Sequence, residues 1–351
     1  MKSYFRPEID AMTGYVPGEQ PKMADLVKLN TNENPFPPSP AVEKVLRSFD
    51  CSRLRRYPDP MADALRDAFA ARWGVKRANV IAGNGSDDLL TMIFRAFTSP
   101  ERAVAVLEPS YSLYPELAAM QGAPVIRIKL APGTFTLPQD LLTRASGANL
   151  LMIVRPNAPT GTLFPRETIQ NICENFDGVV VIDEAYADFA PDNCVDLARK
   201  FSNVIVIRTF SKSYSMAGIR LGYGISSEEI IAGLMKLKDS YNLDMLTQAV
   251  GLAAFLDEDY FMARRDEVVA MREELACELK KRGFSVPDSA SNFLFVSPPD
   301  GNAARLFEEL RRRAVIVRYF RAPATASYVR ITVGTPRENA RLLAAIDEIL
   351  V

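Results

Sequence analysis

The sequence predicts an α/β protein: a large domain with a mainly parallel central sheet, followed by a smaller α+β domain. Two observations carry this. Between residues 80 and 225, short apolar runs alternate with amphipathic stretches. That order suits strands buried on both faces and joined by crossover helices. After a long helical pattern from Asp259 to Gly283 the order changes, and strand-like runs are interleaved with two helices.

The apolar runs are Val80–Ala82, Ala103–Leu107, Leu150–Val154, Val179–Ile182, Val204–Arg208 and Leu221–Ile225. Their length and aliphatic, β-branched content are those of buried strands. Past the long helix, Asn292–Ser297, Val315–Tyr319 and Tyr328–Val333 read as strands, and 302–313 and 336–350 as helices. Upstream, Asp59 to Gly74 reads as a helix with Ala62, Leu65, Phe69 and Trp73 on one stripe and Gly74 as its stop. Residues 1–40 contain KLNTNENPFPPSP, where Pro35, Pro37, Pro38 and Pro40 argue against a helix, so an extended arm is expected. The expected division is an arm (1–40), a large domain (41–258) and a small domain (259–351).

Hydrophobic residues make up 48% of the 351 and charged residues 24%, which is the balance of a soluble globular enzyme. The net charge is -1 with no basic or acidic block. No nucleic-acid or anionic-membrane partner is expected. No apolar run is long enough to span a bilayer, and the N-terminus has no signal-peptide core, so a cytoplasmic protein is expected. Cys51, Cys173, Cys194 and Cys277 are scattered, as for reduced, mostly buried thiols. There is no histidine. This excludes Ser-His-Asp and Cys-His catalysis and every His-based metal site, leaving Lys, Asp, Glu, Tyr or Cys to carry protons.

Four segments carry chemistry. In GNGSDDLL (Gly83–Leu90) a strand runs into a Gly-rich turn and then a helix. Ser86 is a suitable N-cap, Asp87 and Asp88 suit the first turn, and the glycines would let a phosphate reach the free amides. A plain capped helix fits this segment as well. In RPNAPTG (Arg155–Gly161) two prolines bracket Asn157 beyond a strand end, where ligands bind in open parallel sheets. A simple turn is the alternative. In VVVIDEAYADF, Asp183 ends an apolar strand, where a partly desolvated carboxylate needs a cationic partner, and Tyr186 lies three residues on. An acidic helix cap or a Mg²⁺ ligand is the other reading.

The fourth segment is the most specific. In VIVIRTFSKSYSMAGIRLGYG, Lys212 follows a buried strand among small residues, and Arg220 follows eight positions later. An isolated lysine is ordinarily a solvated surface charge. A desolvated lysine beside a cation is instead a nucleophilic amine able to form a Schiff base. Arg220 would be that cation and would also grip a phosphate. Together these parts suit one ligand, pyridoxal 5'-phosphate: a phosphate, a ring nitrogen needing an acid, a phenolic oxygen needing Asn and Tyr, and an aldehyde needing Lys.

At these residues the chain resembles the fold-type I PLP-dependent aminotransferases, and within them the histidinol-phosphate aminotransferase family. The resemblance runs from KLNTNENP to RITVGT, and TFSKSYSMAG matches the lysine signature of the class II group. It implies that Lys212 is the Schiff-base lysine and proton shuttle and that Asp183 pairs with the pyridine nitrogen. It implies that Asn157 and Tyr186 contact the ring oxygen. The amides of Ser86 and Asp87, with Ser211 and Arg220, would hold the cofactor phosphate. Tyr111 of PSYSLY resembles the tyrosine that stacks on the ring. Tyr57 of RRYPDP resembles one that reaches into a partner subunit's site, implying a homodimer. Arg330 of YVRITVGT resembles the arginine that takes the glutamate α-carboxylate, and Tyr15 and Arg318 resemble substrate-phosphate contacts. The expected reaction is amino transfer from histidinol phosphate to 2-oxoglutarate in histidine biosynthesis. Relatives with this pattern transaminate aromatic amino acids or decarboxylate threonine phosphate. A PLP-binding transcription regulator would need a DNA-binding domain before the fold, and only about 30 to 40 non-basic residues precede it here.

Overall fold

The computed structural model describes residues 3–12, 14, 15, 18–23 and 25–350. In chain order the strands are β1 (Val27–Lys28), β2 (Val80–Gly83), β3 (Ala103–Glu108), β4 (Val125–Lys129), β5 (Ala148–Val154), β6 (Val179–Asp183), β7 (Val204–Thr209), β8 (Gly222–Ile225), β9 (Phe293–Val296), β10 (Val315–Ile316), β11 (Arg318–Tyr319) and β12 (Val329–Thr332). A seven-stranded sheet has the order β2-β8-β7-β6-β5-β3-β4. Its pairings from β7 through β4 are parallel, whereas β8 runs antiparallel to both β2 and β7.

Side-chain alternation divides each strand between two cores. Leu150, Met152 and Val154 of β5 join one cluster with Val181, Ile205 and Ile207. Leu151 and Ile153 join the other with Val180, Ile182, Val204 and Val206. The sheet is thus covered on both faces, which is why its strands read as continuous apolar runs. The edge strand β4 escapes that reading. Its sequence VIRIK alternates, leaving Arg127 and Lys129 exposed and Ile128 buried.

A smaller antiparallel sheet, β11-β12-β9, packs with the helices Glu258–Lys281, Ala303–Arg312 and Pro336–Leu350. The expected single strand Val315–Tyr319 is two short ones with different partners. β10 pairs with β1 of the arm, and β11 turns to pair with β12. The arm therefore joins this core through Val27 and Leu29.

Several local expectations need correction. Pro40 opens the helix Pro40–Ser48, because the first helical position needs no N–H. Pro7–Asp10 forms a short helical turn within the arm. The helix expected from Asp59 begins at Asp63, because the Asp59 carboxylate accepts from the Met61 and Asp63 amides and forms the turn before it. Gly74 does stop it, in the left-handed conformation. Cys173 and Cys194 are buried, but Cys51 and Cys277 are exposed.

Candidate active site

The carboxyl ends of β3, β5, β6 and β7 open on one cavity of about 260 Å³. Ligands gather there in open parallel sheets because each strand delivers a loop to the same rim. The cavity is lined by Ser86, Asp87, Tyr111, Asp183, Tyr186, Ser211, Lys212 and Arg220 from the large sheet. Arg318 and Arg330 come from the small sheet, and Tyr15 from the arm. Residues scattered over more than 300 positions thus line one cavity.

At one end the helix Ser86–Phe97 points its N-terminus into the site. The sequence suggested Ser86 as N-cap, but the N-cap is Gly85, which has no side chain, and Ser86 is the first helical residue. The helix start is therefore open to an outside acceptor. Arg220 stands beside it, ion-paired with Asp87 at 3.4 Å, and its Nη1 donates to Ser211 Oγ at 3.4 Å. Gly222 of β8 makes room: a Cβ there would meet the Ser86 nitrogen at 2.6 Å. An open helix start, a hydroxyl and a guanidinium form a cradle for a phosphate-sized anion.

At the other end lies Asp183. Its Oδ2 accepts from the Tyr114 hydroxyl at 2.8 Å and its Oδ1 from the Ala185 N–H at 3.1 Å. Burial pushes this carboxyl up to about 6 in spite of both donors. It remains an anion at neutral pH and suits a protonated ring nitrogen. Tyr114 is fully buried three residues after Tyr111, with the two rings edge to face at 5.5 Å. Nothing in the sequence marks Tyr114, which lies in the first turn of the helix Leu113–Met120, just after the Tyr111 loop.

Lys212 Nζ donates to the Thr31 carbonyl at 3.1 Å. Burial, followed by the Arg330 guanidinium, pushes the amine down to about 8, and Glu33 and Asp87 partly oppose this. The sequence reading gave the neighbouring charge to Arg220, but Arg330 exerts the larger effect. Its position was hidden because it comes from another sheet. Such an amine is a nucleophile and proton carrier near neutral pH.

Asn157 departs from expectation. It is fully buried and is not on the cavity wall, whereas Ala158 and Pro159 are. Its amide nitrogen donates to the Pro109 carbonyl at 3.1 Å and to Thr160 Oγ1 at 2.9 Å. These contacts fasten the loop, and the Asn157 Oδ1 is buried with no partner among the described residues. Tyr57 is likewise not in the cavity. It is 78% exposed and stacks on Tyr241 with ring centroids 4.3 Å apart. Tyr15 packs edge-on against Tyr111 at 5.9 Å. Arg318 and Arg330 lie opposite each other in the β11–β12 pairing. Arg330 Nε is buried without a partner among the described residues, and its Nη2 donates to the Asn30 carbonyl at 3.0 Å.

Residues 24–346 match the family described as aminotransferase class I and II. The chain belongs to that family. Among its relatives, histidinol-phosphate aminotransferase 1 of Trichormus variabilis is 42% identical over 351 residues, covering all of both chains. The histidinol-phosphate aminotransferase of Rippkaea orientalis is 44% identical over 336 residues, 96% of this chain and 95% of that one. Among solved structures, the histidinol-phosphate aminotransferase of Sinorhizobium meliloti in complex with pyridoxal-5'-phosphate superposes with a TM-score of 0.90 at 24% identity, over 100% of this chain and 98% of that one. The L-threonine-O-3-phosphate decarboxylase of Porphyromonas gingivalis gives 0.81 at 21% identity, over 93% and 99%. The fold is therefore that of the aminotransferases, and it is shared by an enzyme of a different reaction. Fold alone does not choose the substrate.

Proposed function

We propose that this aminotransferase moves the amino group of L-histidinol phosphate to 2-oxoglutarate, using pyridoxal 5'-phosphate held on Lys212. The observation that carries the reading is full-length identity above 40% to relatives of that name. The cavity supports it. One cavity holds an anion cradle, the carboxylate of Asp183 and the amine of Lys212, the three kinds of group that the cofactor calls for. When bound, the cofactor supplies an aldehyde for the substrate amine and a ring that withdraws electrons. Asp183 would keep the ring nitrogen protonated. Tyr186 would donate to the ring oxygen, and Tyr111 would lie against the ring. Lys212 takes and returns the proton at the substrate Cα. Ser86, Asp87, Ser211 and Arg220 hold the phosphate.

Substrate choice rests on Arg318 and Arg330. Glutamate presents an α-carboxylate and histidinol phosphate a phosphate, so two guanidiniums on paired strands can serve both. The test compares kcat/KM for histidinol phosphate, histidinol and phenylalanine. Arg318→Ala is expected to cost the phosphorylated substrate roughly 1.5–3 kcal/mol, the scale of a charged hydrogen bond. Phenylalanine equal to or better than histidinol phosphate would make this an aromatic aminotransferase. Tyr15 closes the same wall from the arm.

The proposal includes a cytoplasmic homodimer and the division into arm, large domain (41–258) and small domain (259–351). Among the described residues no helix is long and apolar enough to cross a membrane. The exposed Tyr57–Tyr241 stack, with Leu54 exposed three residues before Tyr57, is the surface offered to a second copy.

A further inference from the structure

We propose that Asn32 is a positioning residue that aims the Tyr186 hydroxyl proton into the cavity, toward the ring oxygen of the cofactor. The inference rests on the cofactor reading above. Asn32 belongs to the LNTNENP segment, of whose asparagines Asn30 and Asn32 line the cavity. It is buried and holds a left-handed backbone with φ of 54°. Asparagine tolerates that conformation better than most residues, which is one sufficient reason for its presence.

The side chain gives a second reason. Its amide nitrogen donates to the Tyr186 hydroxyl at 2.9 Å. The orientation of the amide is fixed by Thr332. The Thr332 hydroxyl accepts the Asn32 backbone N–H at 3.0 Å and donates its own proton to Asn32 Oδ1 at 3.2 Å. With the oxygen so occupied, the nitrogen must face Tyr186. Asn292 clamps the backbone by donating to the Asn32 carbonyl at 3.0 Å.

A phenol that accepts from Asn32 keeps one proton to give. Among the described residues no protein acceptor takes it, and Tyr186 lines the cavity. The hydroxyl proton of Tyr186 is therefore a donor that this wall presents. Thr332 lies two residues from Arg330 on β12. The contact thereby ties the hydroxyl to the strand that carries the substrate arginine.

The test is a spectroscopic pH titration of the bound cofactor in the holoenzyme. A donor to the ring oxygen stabilises it as a bare anion. When that donor is lost, the proton shared between the ring oxygen and the lysine nitrogen is retained to higher pH. Asn32→Gly keeps the backbone conformation and removes the amide, and is expected to move the titration up by about one pH unit. Asn32→Asp replaces the donor by an acceptor, turns the hydroxyl proton away from the cavity, and is expected to move it further. In a Tyr186→Phe background, Asn32→Gly is expected to add nothing. An unmoved titration in Asn32→Gly, or an equal shift in the Phe background, overturns the proposal, because Asn32 would then serve only the backbone. Should Asn32→Gly fail to fold, Thr332→Val keeps Asn32 and releases its amide orientation. It must also move the titration up, and no movement overturns the proposal. A wild-type protein with no cofactor band would overturn the cofactor reading itself, an outcome distinct from a band that the variants fail to move.

Discussion

Lys212 and Asp183 are both pushed by burial toward their neutral forms, and the chemistry follows from how far. A lysine lowered to about 8 is half neutral there, whereas a free lysine amine is mostly protonated. The rate at which cofactor-free protein captures pyridoxal 5'-phosphate is therefore expected to rise with pH and level off above about 8. Stopped-flow absorbance would check this. A half-rise near the ordinary lysine value would mean that the amine is solvated. Borohydride should fix the cofactor to Lys212, and Lys212→Ala should lose the label. For Asp183, raised to about 6, the charged form is present above that pH and is lost below it. Asp183→Asn should still capture cofactor but lose kcat on the order of 10²-fold or more, the scale of a removed preorganised charge interaction. An unchanged kcat would remove Asp183 from the ring nitrogen.

At this scale the sequence was most informative where chemistry follows a strand end. Lys212, Asp183 and Arg220 could be read because an apolar run sets their depth. The partner of the Asn157 amide could not, because it is the Pro109 carbonyl, 48 residues earlier in the chain. Asn32 was hidden for the same reason, since Thr332 lies 300 residues away.

Strand β8 passes close against the start of the helix Ser86–Phe97. A Cβ on Gly222 would stand 2.6 Å from the Ser86 nitrogen and 2.8 Å from the Gly85 carbonyl carbon, both backbone atoms that cannot step aside. Gly222→Ala is expected to push strand and helix apart and to weaken cofactor binding at least about tenfold, the cost of a misplaced phosphate contact. Gly224→Ala, on the same strand, would meet the Ile81 side chain at 3.2 Å and the Ile207 side chain at 3.7 Å, and both can shift. It should bind cofactor nearly as the wild type does. Equilibrium titration of both variants separates the cradle from general strand damage, and equal losses would count against the cradle. The buried strands were legible because both faces are covered. The edge strand β4 and the break between β10 and β11 were not. An alternating edge resembles a solvated loop, and a change of partner sheet at Val317 leaves no mark on hydropathy.

Across the whole molecule, one chain brings the anion cradle, Lys212, Arg318 and Arg330 to one cavity, but it leaves Tyr57 outside, exposed against Tyr241. If Tyr57 serves the site of a second copy, each site takes its Lys212 from one subunit and its Tyr57 from the other. A Lys212→Ala subunit still offers Tyr57, and a Tyr57→Ala subunit still offers Lys212. In a two-fold dimer the hybrid has one site with both defects and one site with neither. Equal mixing with free exchange makes half of the dimers hybrid, so about a quarter of wild-type activity should return from two nearly inactive parents. Subunit exchange is followed independently by the mass of differently labelled chains. Exchange without recovered activity would place Tyr57 in its own subunit's surface and remove it from the site.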